Sequence, residues 1–120
     1  MVWEVQLGEE FDPEYLALPP QVQDAIATIS ELLVQLGPQL GRPRVDTLNG
    51  SRYPNMKEMR FDAADGVWRV AFAFDPKRMA ILLLAGDKSG VSENRFYREF
   101  IRKADQRFGF HLERLTNERK

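Results

Sequence analysis

"YPNMKEMRFDAADGVWRVAFAFDPKRMAILLLAGDKSG", residues 53–90, decides how this chain is read. Three strand-like runs, 57–61, 67–74 and 79–85, are separated by Asp62-Ala63-Ala64-Asp65-Gly66 and by Asp75-Pro76-Lys77-Arg78. Turn-forming connectors of that length between such runs predict two hairpins and hence three antiparallel strands. Because side chains alternate along a strand, Trp68, Val70, Phe72 and Phe74 share one face of the middle strand. Val67, Arg69, Ala71 and Ala73 share the other. The bulky face is expected against a helix, and the small-residue face is expected to be open, with Arg69 beside Arg60 of the neighbouring strand. Glu58 shares the Arg60 face, whereas Lys57 alternates with Met59 and Phe61 and reaches the rim by snorkelling. Lys77, Arg78 and Lys88 fall at strand ends, so six cations surround one small sheet. A surface of that kind suits a nucleic-acid backbone. A solvated outer face balanced by Glu58, Asp62, Asp75 and Asp87 is the plainer reading of the same pattern.

Outward from this core, Val2–Leu7 alternates as a half-buried strand. Asp12-Pro13 has the form of a cap followed by a first-turn proline, opening a short helix to Leu16. Val22, Ile26, Ile29, Leu33 and Leu36 make one stripe of a helix over 20–36, ended by Gly37-Pro38. Residues 37–55 are rich in Gly, Pro, Asn and Ser and are expected to form a loop. Ser92 is the expected cap of a last helix to about Leu115, with Phe96, Phe100, Ala104, Phe108 and Leu112 turned inward and a frayed tail beyond. The expected class is α+β: a small curved antiparallel sheet, an N-terminal strand and helical hairpin on one face, and a C-terminal helix, in a single domain over 1–120.

With 43% hydrophobic and 29% charged residues the 120-residue chain has the composition of a globular domain. The absence of cysteine excludes thiol chemistry and disulfides, and one histidine, His111, argues against a histidine metal cluster or a Ser-His-Asp triad. His111 is expected to be a packing or surface residue. No membrane-length apolar run and no signal-like segment are present, so a cytoplasmic protein without metal or cofactor is expected. Seven of the 18 acids and none of the 17 bases lie in residues 1–41, leaving 17 bases against 11 acids in 42–120. That asymmetry points the second part toward an anionic partner and leaves the first as a separate acidic surface. "GDKSG" (86–90) lacks the spacing of a phosphate-binding loop and is expected to be a strand-to-helix turn that aims Lys88.

In "GRPRVDTLNGSRYPNMKEMRF", "WRVAFAFDPKRMAILLLAGDKSG" and "FIRKADQRF" the chain resembles RelE/ParE-superfamily toxins of type II toxin–antitoxin modules, in their HigB-like, phage-derived branch. The resemblance implies a metal-independent endoribonuclease that cuts mRNA at the ribosome through the RNA 2'-hydroxyl. It also implies a helix-turn-helix antitoxin in a heteromeric complex. Matched to the family pattern, Lys57, Arg60, Arg69 and Lys88 are the candidate catalytic residues and Glu58 is a candidate RNA contact. Lys77 and Arg78, from their places at strand ends, and Tyr97, which either stacks on a base or packs, are the other candidate RNA contacts. A gyrase inhibitor of the ParE type, or a non-catalytic antitoxin-binding module, is the alternative on the same fold.

Overall fold

The computed structural model describes residues 3–118. Its elements follow the chain as β1 (Glu4–Leu7), α1 (Phe11–Leu16), α2 (Pro20–Leu36), a 3-10 turn (Gly37–Gln39), β2 (Val45–Thr47), β3 (Met56–Ala63), β4 (Gly66–Phe74), β5 (Met79–Asp87) and α3 (Glu93–Glu118). The β3–β4 hairpin closes through Ala64 and Asp65, both at positive φ, with Ala63 paired to Gly66. At the β4–β5 turn one oxygen of Asp75 accepts the amides of Lys77 and Met79 at 2.9 and 3.0 Å, and Arg78 takes the left-handed conformation. Both connectors thus turn the chain where the sequence places them.

The five strands lie in the order β1-β5-β4-β3-β2. All pairs are antiparallel except β1 with β5, which is parallel, so the expected all-antiparallel sheet is mixed at one edge. β1 and β2 occupy opposite edges, so the chain must cross between them, and α2 is the long element of that crossing. The stretch expected as plain loop contains β2, whose three residues pair with β3. Their context of Gly, Pro and Asn conceals a strand that short. α1 begins at Phe11, with Glu10 preceding it and no side-chain cap, so Asp12 lies inside the first turn rather than capping it. Ser92 caps α3 as expected, its Oγ accepting the Arg95 amide at 3.3 Å. α3 continues to Glu118, three residues past the expected end. Val2 and the last two residues of the tail lie outside the described residues.

Each face of the sheet is covered. On one side Val22, Ile26, Ile29 and Leu33 of α2 pack with Met59, Val70, Phe72, Phe74 and Leu82; Leu36, the last member of the expected stripe, is 45% exposed. On the other side Phe100, Ala104 and Phe108 of α3 pack with Met56, Ala71, Ala73, Ile81, Leu83 and Leu84. A bulge in β5, where Ala71 pairs with Leu84 and Phe72 with Leu82, turns both Leu83 and Leu84 toward α3. The small-residue face expected to be open is therefore the seat of α3, and Ala71 and Ala73 are fully buried beneath it. Small side chains there let the aromatic side of the helix approach the sheet. A Cβ on Gly86 would stand 3.0 Å from the Phe96 ring, which shows how close that approach is.

The acidic first part is tied to α3 by ion pairs. Arg107 donates to both Glu14 oxygens at 2.7 Å and to the Leu83 carbonyl at 2.8 Å, and Arg114 pairs with Glu9 and Glu10 at 3.5 and 3.3 Å. Part of the charge asymmetry is thus spent inside the molecule rather than on separate surfaces. His111 packs as expected, stacked on Phe108, with Nε2 2.8 Å from an oxygen of the wholly buried Asp75. Asn55 also holds the β4 end, donating to the Phe74 carbonyl.

Two outcomes test this packing. Ala71→Leu should cost about 1–3 kcal/mol in urea titrations through overpacking against α3, where an open face would tolerate it within about 0.5 kcal/mol. The hydrogen bond from Arg107 holds the Glu14 carboxyl below its ordinary value near 4.5. Its contribution is present above that value and is lost as pH falls through the lower folded value. Arg107→Ala should remove this acid-side loss of stability, an effect of about 1 kcal/mol or less after solvent screening.

Candidate nucleic-acid interface

β3 and β4 pair so that Arg60 lies directly opposite Arg69, with Glu58 two residues along β3 on the same face. Two guanidinium groups side by side repel, and the sequence relieves this with the carboxylate between them. Glu58 accepts from Arg60 Nη1 at 3.0 Å and lies 3.8 Å from Arg69 Nε. Glu58 and Arg69 are only 4% and 6% exposed, so each needs its partner. Tyr97, from the first turns of α3, completes the network: its hydroxyl donates to Glu58 at 2.8 Å and accepts from Arg69 Nε at 3.2 Å. Arg69 Nη1 donates to the Trp68 carbonyl at 2.9 Å. Burial, and then the bond to Glu58, push the Tyr97 phenol above its ordinary value, so it keeps its proton near neutrality and offers a donor rather than a base.

Lys88 joins this group from the turn after β5. Asp87 Oδ1 accepts the amides of Val67 and Ser89 at 3.0 and 2.9 Å and the Ser89 hydroxyl at 2.5 Å. Burial alone would raise the Asp87 carboxyl, but these bonds outweigh it and hold the group low. The Lys88 amide donates to the Val67 carbonyl at 2.8 Å, extending the ladder by one bond. Pinned in this way, Lys88 directs its ammonium to Glu93 at the start of α3, 2.5 Å away. "GDKSG" is thus a strand-to-helix turn that aims a lysine.

Glu58, Arg60, Tyr97 and Glu93 line a polar cleft of about 450 Å3, whose far wall is Arg42, Asp46, Thr47, Leu48 and Asn49 from β2 and its flanks. Arg42 bridges to Asp46 at 2.7 Å and closes one end. The loop that follows is held by Asp105 of α3, which accepts from the Ser51 hydroxyl at 2.5 Å and the Arg52 amide at 3.1 Å. Among the described residues no group of three or more His, Cys, Asp or Glu side chains could hold a metal ion.

Of the sequence candidates, the structure therefore brings together Glu58, Arg60, Arg69, Lys88 and Tyr97. It leaves out three. Lys57 pairs with Phe72 and so points to the α2 face of the sheet, opposite Arg60. Lys77 and Arg78 lie at the β4–β5 turn, about 20 Å along the strand from Arg69 at the usual rise. There Lys77 is 3.5 Å from Glu118, and the Arg78 guanidinium stacks 4.6 Å over the Trp3 ring. The reading of six cations ringing one surface is corrected to three. Sequence reasoning did not single out Glu93 or the β2 wall. Glu93 reads as an ordinary first-turn acid after a serine cap, and only the aim of Lys88 gives it a further meaning.

Residues 13–109 match the family described as phage-derived protein Gp49-like. Two Mycobacterium tuberculosis (strain ATCC 25618 / H37Rv) proteins, the candidate toxins HigB3 and HigB2, are 50% identical over 88 residues and 43% identical over 96. The aligned region takes in 71% and 79% of this chain, but 75% and 47% of those relatives, so the chain spans about half the length of HigB2. Among solved structures, a free-state double arginine-to-alanine mutant of Escherichia coli toxin RelE superposes with a TM-score of 0.61 at 14% identity, covering 89% of this chain and 98% of that one. The archaeal RelE–RelB complex from Pyrococcus horikoshii OT3 gives 0.51 at 19% identity, covering 76% and 100%. These two likenesses establish the fold.

The burial of the network makes its members unequal under substitution. Tyr97→Phe should cost about 1–2 kcal/mol in denaturant titrations, since it removes a hydroxyl used as both donor and acceptor. Arg69→Ala should cost about 3–5 kcal/mol, because Glu58 loses a buried partner. Arg60, whose side chain is 28% exposed, should cost about 1 kcal/mol or less.

Proposed function

Since this chain belongs to the phage-derived Gp49-like family, within the HigB-like branch of the RelE/ParE superfamily, we propose that it is the toxin of a type II toxin–antitoxin module. It acts in the cytoplasm as an endoribonuclease on ribosome-bound mRNA, and a helix-turn-helix antitoxin holds it in a heteromeric complex. The observation that carries this reading is a polar cleft lined by Arg60, Tyr97, Glu58 and Glu93, with Arg69 held against Tyr97 and Glu58 and Lys88 paired to Glu93.

The chemistry asks little of the protein. The RNA's 2'-hydroxyl gives its proton to solvent water as its oxygen attacks the adjacent phosphorus, and the bond to the next nucleotide's 5'-oxygen breaks with a proton returned from water, leaving a 2',3'-cyclic phosphate and a 5'-hydroxyl. Negative charge builds on the phosphoryl oxygens, and preorganised cations lower the barrier by meeting it. Arg60 and Lys88 carry that charge, Arg60 as a planar fork that spans two oxygens. Arg69 is held rigidly by Glu58 and Tyr97 and sets the field between them. Tyr97, whose hydroxyl donates to Glu58 and accepts from Arg69, fixes the direction of both side chains. Glu58 is committed to Arg60, Arg69 and Tyr97 and serves as their counter-ion. Lys57, from the other face, lies outside this group.

Induced alone, the protein should arrest growth, and mRNA ends mapped from ribosomes should fall in phase with codons. Arg60→Ala should abolish both while circular dichroism and melting stay within about 1 kcal/mol of the parent. Cleavage by the purified protein on programmed ribosomes should survive replacement of free divalent ions by spermidine and a chelator. DNA damage without codon-phased ends would instead identify a gyrase inhibitor, and an inert chain would leave an antitoxin-binding module.

A further inference from the structure

Three cations and two carboxylates make up the cluster, and Glu58 is fully occupied by Arg60, Arg69 and Tyr97. The second carboxylate is held differently. Glu93 is 73% exposed, yet its Oε1 meets the ammonium of Lys88, a side chain only 16% exposed, at 2.5 Å. A well-positioned lysine in a turn is thus capped by an acid that is itself free to swing into solvent.

From this arrangement we propose that Glu93 is a built-in competitor for the substrate's phosphate. Its carboxylate occupies the place beside Lys88 that a phosphate oxygen takes, and the anion binds by displacing it. The inference rests on the anion-binding reading of the same cleft and adds its regulation.

Three observations support it. Glu93 lines the cleft shared by Glu58, Arg60 and Tyr97, so it stands at the mouth rather than behind it. Its carboxyl is held below the ordinary range first by the hydrogen bond from Lys88 and also by the charges of Arg69 and Arg60, so it feels all three cations. No other partner of the Glu93 side chain occurs among the described residues, so nothing else holds the carboxylate in place. Exposed ion pairs are weak and open easily, whereas a dianionic or bridging phosphate offers more oxygens to the same donors. The pairing of Lys88 with Glu93 therefore lowers the positive charge of the cleft, and the cost of binding an adventitious anion rises.

The test is Glu93→Gln, which keeps the shape and removes the charge at an exposed position. Two probes are titrated at several salt concentrations: a short single-stranded RNA blocked by a 2'-deoxy substitution at one position, and inorganic phosphate followed by the NMR shift of the Lys88 side chain. Glu93→Gln should bind both about three- to tenfold more tightly, and the salt dependence of RNA binding should steepen by about 0.7 in the logarithmic slope, as for one further uncapped cation. Combining Lys88→Met with Glu93→Gln should abolish the gain in RNA binding. Tighter phosphate binding without any RNA binding would uphold the competitor and sink the nuclease reading. Unchanged or weaker binding of phosphate in Glu93→Gln would overturn the competitor, whatever codon-phased cleavage shows.

Discussion

A single buried carboxylate organises this protein's polar side. Placing Arg60 opposite Arg69 on adjacent strands sets two like charges side by side, Arg69 buried and Arg60 partly exposed. Removing Glu58 would leave Arg69 desolvated and unpaired, the expensive half of a buried ion pair. Because Glu58 also accepts from Tyr97, the carboxylate joins β3 and β4 to the first turns of α3. Register of the hairpin, docking of the helix and direction of the guanidinium groups are therefore one problem with one solution. A substitution at any of the three partners is felt at the others.

The same sheet-facing side of α3 solves a different problem with apolar contacts. Ala71, Ala73 and Gly86 lower the sheet surface, and Phe96, Phe100 and Phe108 fill the space. Farther along, His111 and Arg107 reach Asp75, Glu14 and the Leu83 carbonyl. The helix is thus clamped at both ends by polar groups and in the middle by aromatic rings. A rigid α3 matters for the cleft, since Tyr97 and Glu93 both ride on it.

Much of this was legible in the residues. Strand alternation assigned Trp68, Val70, Phe72 and Phe74 to one face correctly, and the two connectors fell where the turns are. Alternation cannot say what covers a face, however. Ala71 and Ala73 beside an arginine read as a shallow open surface, when their small size is what a close-packed helix requires. β2 was hidden because three residues among prolines and glycines carry no period, and the parallel pairing of β1 because nothing local distinguishes it from an antiparallel edge. At the cleft, alternation put Glu58, Arg60 and Arg69 on one face and the family pattern added Lys88, while Tyr97, read as a stacking or packing residue, instead hydrogen-bonds Glu58 and Arg69. Lys77 and Arg78 were grouped with them by sequence proximity, which a hairpin converts into distance. Lys57 was misplaced by granting a long side chain more reach than the strand's facing allows.

The sheet's layout has one more consequence, for how the protein behaves when crowded. Its eight- and nine-residue strands β3, β4 and β5 all lie inside the sheet with a neighbour on each side. The edges are β1, of four residues, and β2, of three. Beside β2 stands the charged Arg42–Asp46 pair. Short, charged edges offer little backbone for another chain to add to, so copies released together into one small volume are poor templates for aggregation.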